Sequence, residues 1–150
     1  MKLTSLNVHY RVGENIIELP TKMKFTQVDE EGKRAIQFEV QINEQHIQSE
    51  EHDSMEYAVM KLQKALPKVV NIACCLSCRH GNCNPYGDLE DEIFCLKDTV
   101  IASREDVVDF FSEEVDRSSR ARNLLYYCNQ YQPVNSNEKY TYTNWPEEEI

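Results

Sequence analysis

The chain has no run of about 18 consecutive apolar residues, so no helix that spans a membrane is expected from it. Behind Met1, the stretch Lys2-Leu3-Thr4-Ser5-Leu6-Asn7 lacks the apolar segment that secretory signals carry. No Asn-x-Ser/Thr acceptor for N-glycosylation occurs. These absences lead to the expectation of a cytoplasmic, reducing environment, where the six cysteines would be thiols or metal ligands rather than disulfides. Catalytic signatures are missing too. Nothing characteristic of a known nucleophile family surrounds any cysteine beside His80 or His52, so a ligand or core thiol outweighs a Cys–His catalytic pair. A cation excess is also lacking: 16 Lys and Arg stand against 26 Asp and Glu, a net charge of −10. Such a chain is repelled by phosphate backbones and anionic membrane surfaces. Nucleic acid and membrane are set aside as partners, and a protein with a basic surface is favoured.

What is present is an ordinary globular balance, 41% hydrophobic and 28% charged, over 150 residues. That length buries a normal core. No internal repeat is visible, and the reading is one α+β domain over 1–131 with a polar tail at 132–150. Leu6, Val8, Tyr10 and Val12 alternate with polar residues as a half-buried strand does. Gly13-Glu14-Asn15 is a turn, Ile16–Leu19 a continuation, and Pro20-Thr21 a break. Met23, Phe25 and Val28 form a third strand, ended by Asp29–Gly32. Ile36, Phe38, Val40 and Ile42 give the cleanest alternation in the chain. Short spacings and tight turns point to an antiparallel meander.

A first helix is expected from about Ser54 to Leu66, capped by Asp53 with Glu56 three residues on, and stopped by Pro67. Its inward face carries Met55, Ala58, Val59, Leu62, Ala65 and Leu66. Val69–Ala73 reads as a buried strand, and Ile93–Leu96 as another. A second helix starts at Ser103, with Glu105 and Asp106 in its first turn, and runs to about Asp116 with Val107, Val108, Phe111 and Val115 inward. Leu124–Cys128 is expected as a last strand. Both helices are expected on one face of the sheet.

The chemistry concentrates in Ala73-Cys74-Cys75-Leu76-Ser77-Cys78-Arg79-His80-Gly81-Asn82-Cys83, with Cys95 seventeen residues beyond Cys78. A Cys-x2-Cys turn lets two sulfurs face one tetrahedral ion, and Ser77 and Gly81 suit such a turn. Cys75, Cys78 and Cys95 match the first three ligands of a zinc-ribbon spacing. The usual fourth ligand, three residues past Cys95, is Asp98 rather than Cys. Cys128 is the first choice for that place, since thiolates are preferred in closed sites; Asp98, His80 and Cys83 compete with it. Cys74 should point away from Cys75 into the core, because strand neighbours face opposite sides. Iron–sulfur ligation uses the same four thiolates. A redox dithiol would need the motif to open a helix, whereas Gly81, Asn84, Pro85 and Gly87 argue for a loop.

The order Cys75-x2-Cys78, Asn84-Pro85-Tyr86-Gly87, a lone Cys95 and then Tyr127-Cys128 resembles a family of uncharacterised bacterial proteins over roughly residues 70–130. The resemblance implies that Cys75, Cys78, Cys95 and Cys128 belong together as one set. It implies no activity, and Cys83 has no counterpart in the pattern.

Other groups have ordinary readings. His9, His46 and His52 suit solvated surfaces. Asp88, Glu90, Asp91 and Glu92 do not fit a calcium loop. Arg117, Arg120 and Arg122 would neutralise the end of the second helix or meet a phosphate. The tyrosines near the end, with Trp145, would cover a sheet or mark an interface. Two functions follow. One is a zinc-stabilised acidic interaction module, such as an immunity or adaptor protein, with the metal held at 74–95 and Cys128. The other is a metalloenzyme whose zinc is held by Cys75, Cys78 and Cys95 plus a water, with Glu92 or Asp98 as base. The balance lies against an enzyme.

Overall fold

The structure is a computed structural model and describes residues 2–27, 30, 33–86, 92–113, 118–134, 141–143 and 145. Val28, Gly87, Asp88, Glu90, Asp91, Val115, Asp116 and Arg117, all singled out above, lie outside these residues. The chain forms an α+β protein of two compact units, one ending at Ile72 and the other starting at Ala73.

In the first unit, strands β1 (Lys2–Val12), β2 (Asn15–Gln27), β3 (Arg34–Ile42), β4 (Gln45–Gln48) and β5 (Val70–Ile72) form one curled antiparallel sheet in the order β4-β3-β2-β1-β5. Two-residue turns set its registers. Gly13 has φ 64° between the paired Val12 and Asn15, and Asn43 and Glu44 have φ 51° and 68° between Ile42 and Gln45. Mirror-image turns of this kind carry positive φ because their twist matches that of the flanking strands.

Pro20 does not break the second strand as expected; β2 runs through it, with Pro20 opposite Asn7. β3 pairs with β2 only from Thr21 onward. At Pro20 the strand therefore has a neighbour on one side, a position where a missing N–H is tolerated.

Alternation places Val8, Tyr10, Ile36, Phe38, Val40 and Ile42 inside, each at most 3% exposed. Thr21 is also buried, and its hydroxyl meets the Tyr10 hydroxyl at 2.7 Å. Helix α1 (Met55–Ala65) covers β3 and β4 with Ala58, Val59, Met60 and Leu62. Its N-cap is Ser54, not Asp53. The Ser54 side chain makes no cap bond, and the Ser54 N–H donates instead to His52 Nδ1 at 3.0 Å. Leu66 is extended, as the residue before proline prefers to be. The Gln63 amide then serves as a partner strand in miniature, donating to Val70 O at 3.0 Å and accepting from Ile72 N–H at 2.7 Å.

The second unit holds a 3₁₀ turn at Cys75–Ser77, strands β6 (Gly81–Asn82), β7 (Glu92–Cys95) and β8 (Ala121–Asn123) in the order β6-β7-β8, and helix α2 (Arg104–Ser112). Ser103 caps α2 by accepting from Asp106 N–H. Val107 and Phe111 pack on Phe94 and Leu96, with Phe94 and Phe111 edge to face at 5.3 Å. The helices thus serve different cores: α1 covers the five-stranded sheet, and α2 covers the Phe94–Leu96 cluster.

The expected last strand is displaced. β8 ends at Asn123, Leu124 and Leu125 form a turn, and Leu124 alone is buried there. Where a polar tail was read from Gln132, the described residues 132–134 and 141–143 are hydrogen-bonded within the second unit. Arg79 N–H donates to Gln132 O at 2.7 Å, Val134 N–H to Ser77 O at 3.0 Å and Cys83 N–H to Tyr142 O at 2.9 Å. Arg104 also forks onto Thr141 O and Thr143 O at 2.8 and 3.0 Å.

The β3–β4 pairing ends on a side chain. Ser49 N–H donates to Phe38 O at 2.9 Å, and Ser49 Oγ accepts from Phe38 N–H at 2.9 Å, both buried. Ser49→Ala leaves that N–H without its acceptor and should cost about 1–3 kcal/mol in urea unfolding. The neighbouring exposed change Gln48→Ala should stay within about 0.5 kcal/mol. Equal effects of the two would show that the Ser49 hydroxyl has no special part.

Candidate metal centre

Backbone pairing, more than any side chain, decides where the cysteines go. The 3₁₀ turn closes through Cys78 N–H to Cys75 O at 3.2 Å, and a further turn through Gly81 N–H to Cys78 O at 3.0 Å. On one flank, Cys75 N–H donates to Tyr126 O at 2.8 Å and Leu76 N–H to Leu124 O at 3.1 Å. Cys78 bridges to Pro133 beyond. Cys128, between those contacts, turns through Tyr131 N–H to Cys128 O at 3.1 Å. On the other flank, β6 returns along β7 so that Gly81 faces Cys95, and Leu96 N–H reaches His80 O at 2.9 Å. The segments that carry Cys128 and Cys95 therefore flank the turn that carries Cys75 and Cys78.

Gly81 has a steric role here. A Cβ at this position would stand 2.0 Å from Cys75 O and 3.0 Å from Ile93 Cδ1, a clash that backbone cannot absorb cheaply. Its backbone φ is not the reason; the close approach of the turn is. Ser77 ties the turn from below. Its hydroxyl accepts from Cys74 N–H at 3.2 Å and meets the Tyr131 hydroxyl at 3.1 Å. Tyr131 and the clamp from Tyr126 to Pro133 had no signal in the sequence beyond an aromatic-rich stretch.

Cys74, Cys75, Cys78, Cys95 and Cys128 are free thiols. Burial pushes the Cys75 thiol well up, and the charges of Cys74, Cys78, Cys95 and Cys128 push it further. Burial also raises Cys78, with Cys95 and Cys128 adding to it, while backbone hydrogen bonds from Gln132 and His80 pull the other way. The His80 N–H lies 3.5 Å from Cys78 Sγ. Like charges disfavour each other's ionised form at close range, and Cys74, which the expected set of Cys75, Cys78, Cys95 and Cys128 leaves out, stands first among the thiols acting on Cys75. As they stand, no group of three or more His, Cys, Asp or Glu side chains among the described residues is set to hold a metal ion.

The competitors for the fourth place are otherwise engaged. Asp98 is exposed, and the Arg120 guanidinium that hydrogen-bonds it holds its carboxyl below the usual range. Arg120 also donates to Cys95 O at 3.3 Å and lies over the Phe110 ring. That arginine therefore supports the cysteine strand rather than the end of α2. Arg122 donates to Ser119 O and Ala121 O, both at 2.9 Å. His80 is pulled down by partial burial and by the nearby charges of Arg79 and Lys97. Cys83 does not figure among the leading influences on Cys75 or Cys78, and its N–H joins Tyr142. The turn leads into β6 and not into a helix, which removes the context a redox dithiol needs.

Cys74 is fully buried, and burial pushes its thiol up to about 11 against weaker lowering by Ser77. No helix of the described residues is long and apolar enough to cross a membrane. Comparison with protein-family models, with curated proteins and with solved structures finds no match to this chain.

Two outcomes follow. Gly81→Ala should destabilise the protein by about 1–3 kcal/mol in thermal or urea unfolding, as overpacked sites do; a neutral effect would mean the turn has room to spare. Burial shields Cys74 and disfavours its thiolate, so native protein should resist iodoacetamide at this residue at pH 8 and react when unfolded. Mass spectrometry reads the site, and equal labelling in the two states would contradict the burial.

Proposed function

We propose that Cys75, Cys78, Cys95 and Cys128 bind one zinc ion, and that the zinc-stabilised chain acts in the cytoplasm as an acidic interaction module. Its partner would be a protein with a basic surface, in the manner of an immunity or adaptor protein. The observation that carries the metal reading is the backbone clamp that brings the Cys75–Cys78 turn between Tyr126–Pro133 and Cys95. The raising of Cys78 by Cys95 and Cys128, and of Cys75 by these and by Cys74, after burial, supports it.

The donor set suits zinc on chemical grounds. Four thiolates close a tetrahedral site, and a cation turns their repulsion into attraction. Two thiols of the set are disfavoured as bare thiolates, and the ion supplies the counter-charge they lack. Backbone N–H groups on Cys78 Sγ are outer-shell support of the kind that orients metal ligands. A closed site leaves no position for a substrate, so the metal stabilises and does not catalyse. The open-zinc enzyme gains little support, because Asp98, one of its two candidate bases, is taken up by Arg120. The interaction reading rests on the net charge of −10 and the absence of a nucleophile signature.

Protein purified without chelator should contain one zinc per chain. Cys128→Ser should lose most of it, and Asp98→Asn should keep it. Metal-free protein that is fully folded would overturn the zinc reading. Full zinc in Cys128→Ser, with an exchangeable water on the ion, would shift the account to the enzyme. Binding to a basic partner should weaken steeply with added salt; salt-independent binding would contradict the charge argument.

A further inference from the structure

Beside the cysteine turn, the second unit holds a concavity of about 300 Å³ that the zinc reading does not use. That volume lies at the small end of the range for small-molecule sites. Its wall comes from three stretches distant in sequence: Arg79, His80 and Asn82; Leu96, Lys97 and Thr99 to Ile101; and Gln132. Arg79 and Lys97 are its cationic residues, Asn82 and Gln132 carry amides, and His80 an imidazole. No carboxylate is among these residues; Asp98, between Lys97 and Thr99, accepts from the Thr99 hydroxyl at 3.3 Å. Leu96, Val100 and Ile101 are the apolar part, and Val100 is 92% exposed.

The floor is held firmly. Asn82 is 1% exposed, and its Oδ1 accepts from Tyr142 N–H while its Nδ2 donates to His80 O at 3.4 Å. Arg79 is tied by its own backbone to Gln132 O, and Leu96 N–H to His80 O, so the three stretches form one frame. A hollow lined by two cationic residues and by Leu96, Val100 and Ile101 suits an anionic head on an apolar body.

We infer that the hollow lined by Arg79, Asn82, Lys97, Thr99, Val100 and Gln132 binds a small organic anion, a carboxylate or phosphate ester carrying an apolar group. The charges fix the head through charge-assisted hydrogen bonds, and Val100 covers the body. This inference goes beyond the zinc reading and stands on the lining residues, not on the identity of the metal.

The test is an amide NMR titration of the protein as purified, its metal content measured in parallel. The probes are phenyl phosphate, benzoate, inorganic phosphate and the neutral control phenol. Phenyl phosphate or benzoate should bind saturably, with shifts confined to residues 79–82, 96–101 and 132. Inorganic phosphate should bind more weakly for want of the apolar part, and phenol should not saturate. Lys97→Gln and Arg79→Gln should each weaken the better probe about tenfold, the loss expected for one hydrogen bond to a charged group. Lys22→Gln, on an exposed site of the first unit, should leave binding unchanged. Unchanged affinity in Lys97→Gln, whose side chain is outside the cysteine turn, would overturn the assignment even if Arg79→Gln perturbed the turn. Absence of saturable shifts with both organic anions, or shifts spread over the basic residues of the whole surface, would also overturn it. Loss of zinc with anion binding intact would count against the metal reading alone.

Discussion

The second unit depends on the tightness of the turn from Cys75 to Gly81. Its carbonyl at Cys75 lies so close to the Cα of Gly81 that no side chain fits between them. The turn is then hydrogen-bonded on both flanks, to Tyr126 and Leu124 on one and through Gly81 to Cys95 on the other. Because backbone groups make these bonds, the positions of four cysteines are set by main-chain geometry before any sulfur chemistry begins. A metal ion would be added to a main chain that is already ordered, which reduces the ordering its binding must supply.

Desolvation raises the Cys75 and Cys78 thiols, and neighbouring thiols add to it, so both are held neutral where no cation stands beside them. Backbone N–H groups at Cys78 act in the other direction, favouring charge on its sulfur. The hollow borders the same backbone strip: Arg79 and His80 follow Cys78, and Lys97 follows Cys95 by two residues. The strip that orders the cysteines thus also orders the cations.

Much of this was legible in the residues. Alternation at Val8–Tyr10 and Ile36–Ile42 placed two strands and their buried faces, because a period of two has only one way to face a core. Spacing and the family resemblance named Cys75, Cys78, Cys95 and Cys128 as a set, and backbone pairing ties the segments that carry them to one turn. Other parts were hidden for physical reasons. Pro20 looked like a break because its tolerance depends on where β3 begins, a fact of register and not of local sequence. Leu124–Cys128 looked like a strand because apolar runs suit turns under a core as well as strands; only Leu124 is buried there. Asp53 seemed the better cap, yet His52 takes the Ser54 N–H. The hollow at Arg79 and Lys97 arises from three separated stretches, so no window along the chain could reveal it.

Whether the four sulfurs meet at one ion is best decided by X-ray absorption at the zinc edge on freshly purified, reduced protein. The account expects four sulfur scatterers at about 2.3 Å and no lighter ligand. A shell containing oxygen or nitrogen in place of Cys128, or a protein with no zinc edge at all, would contradict it.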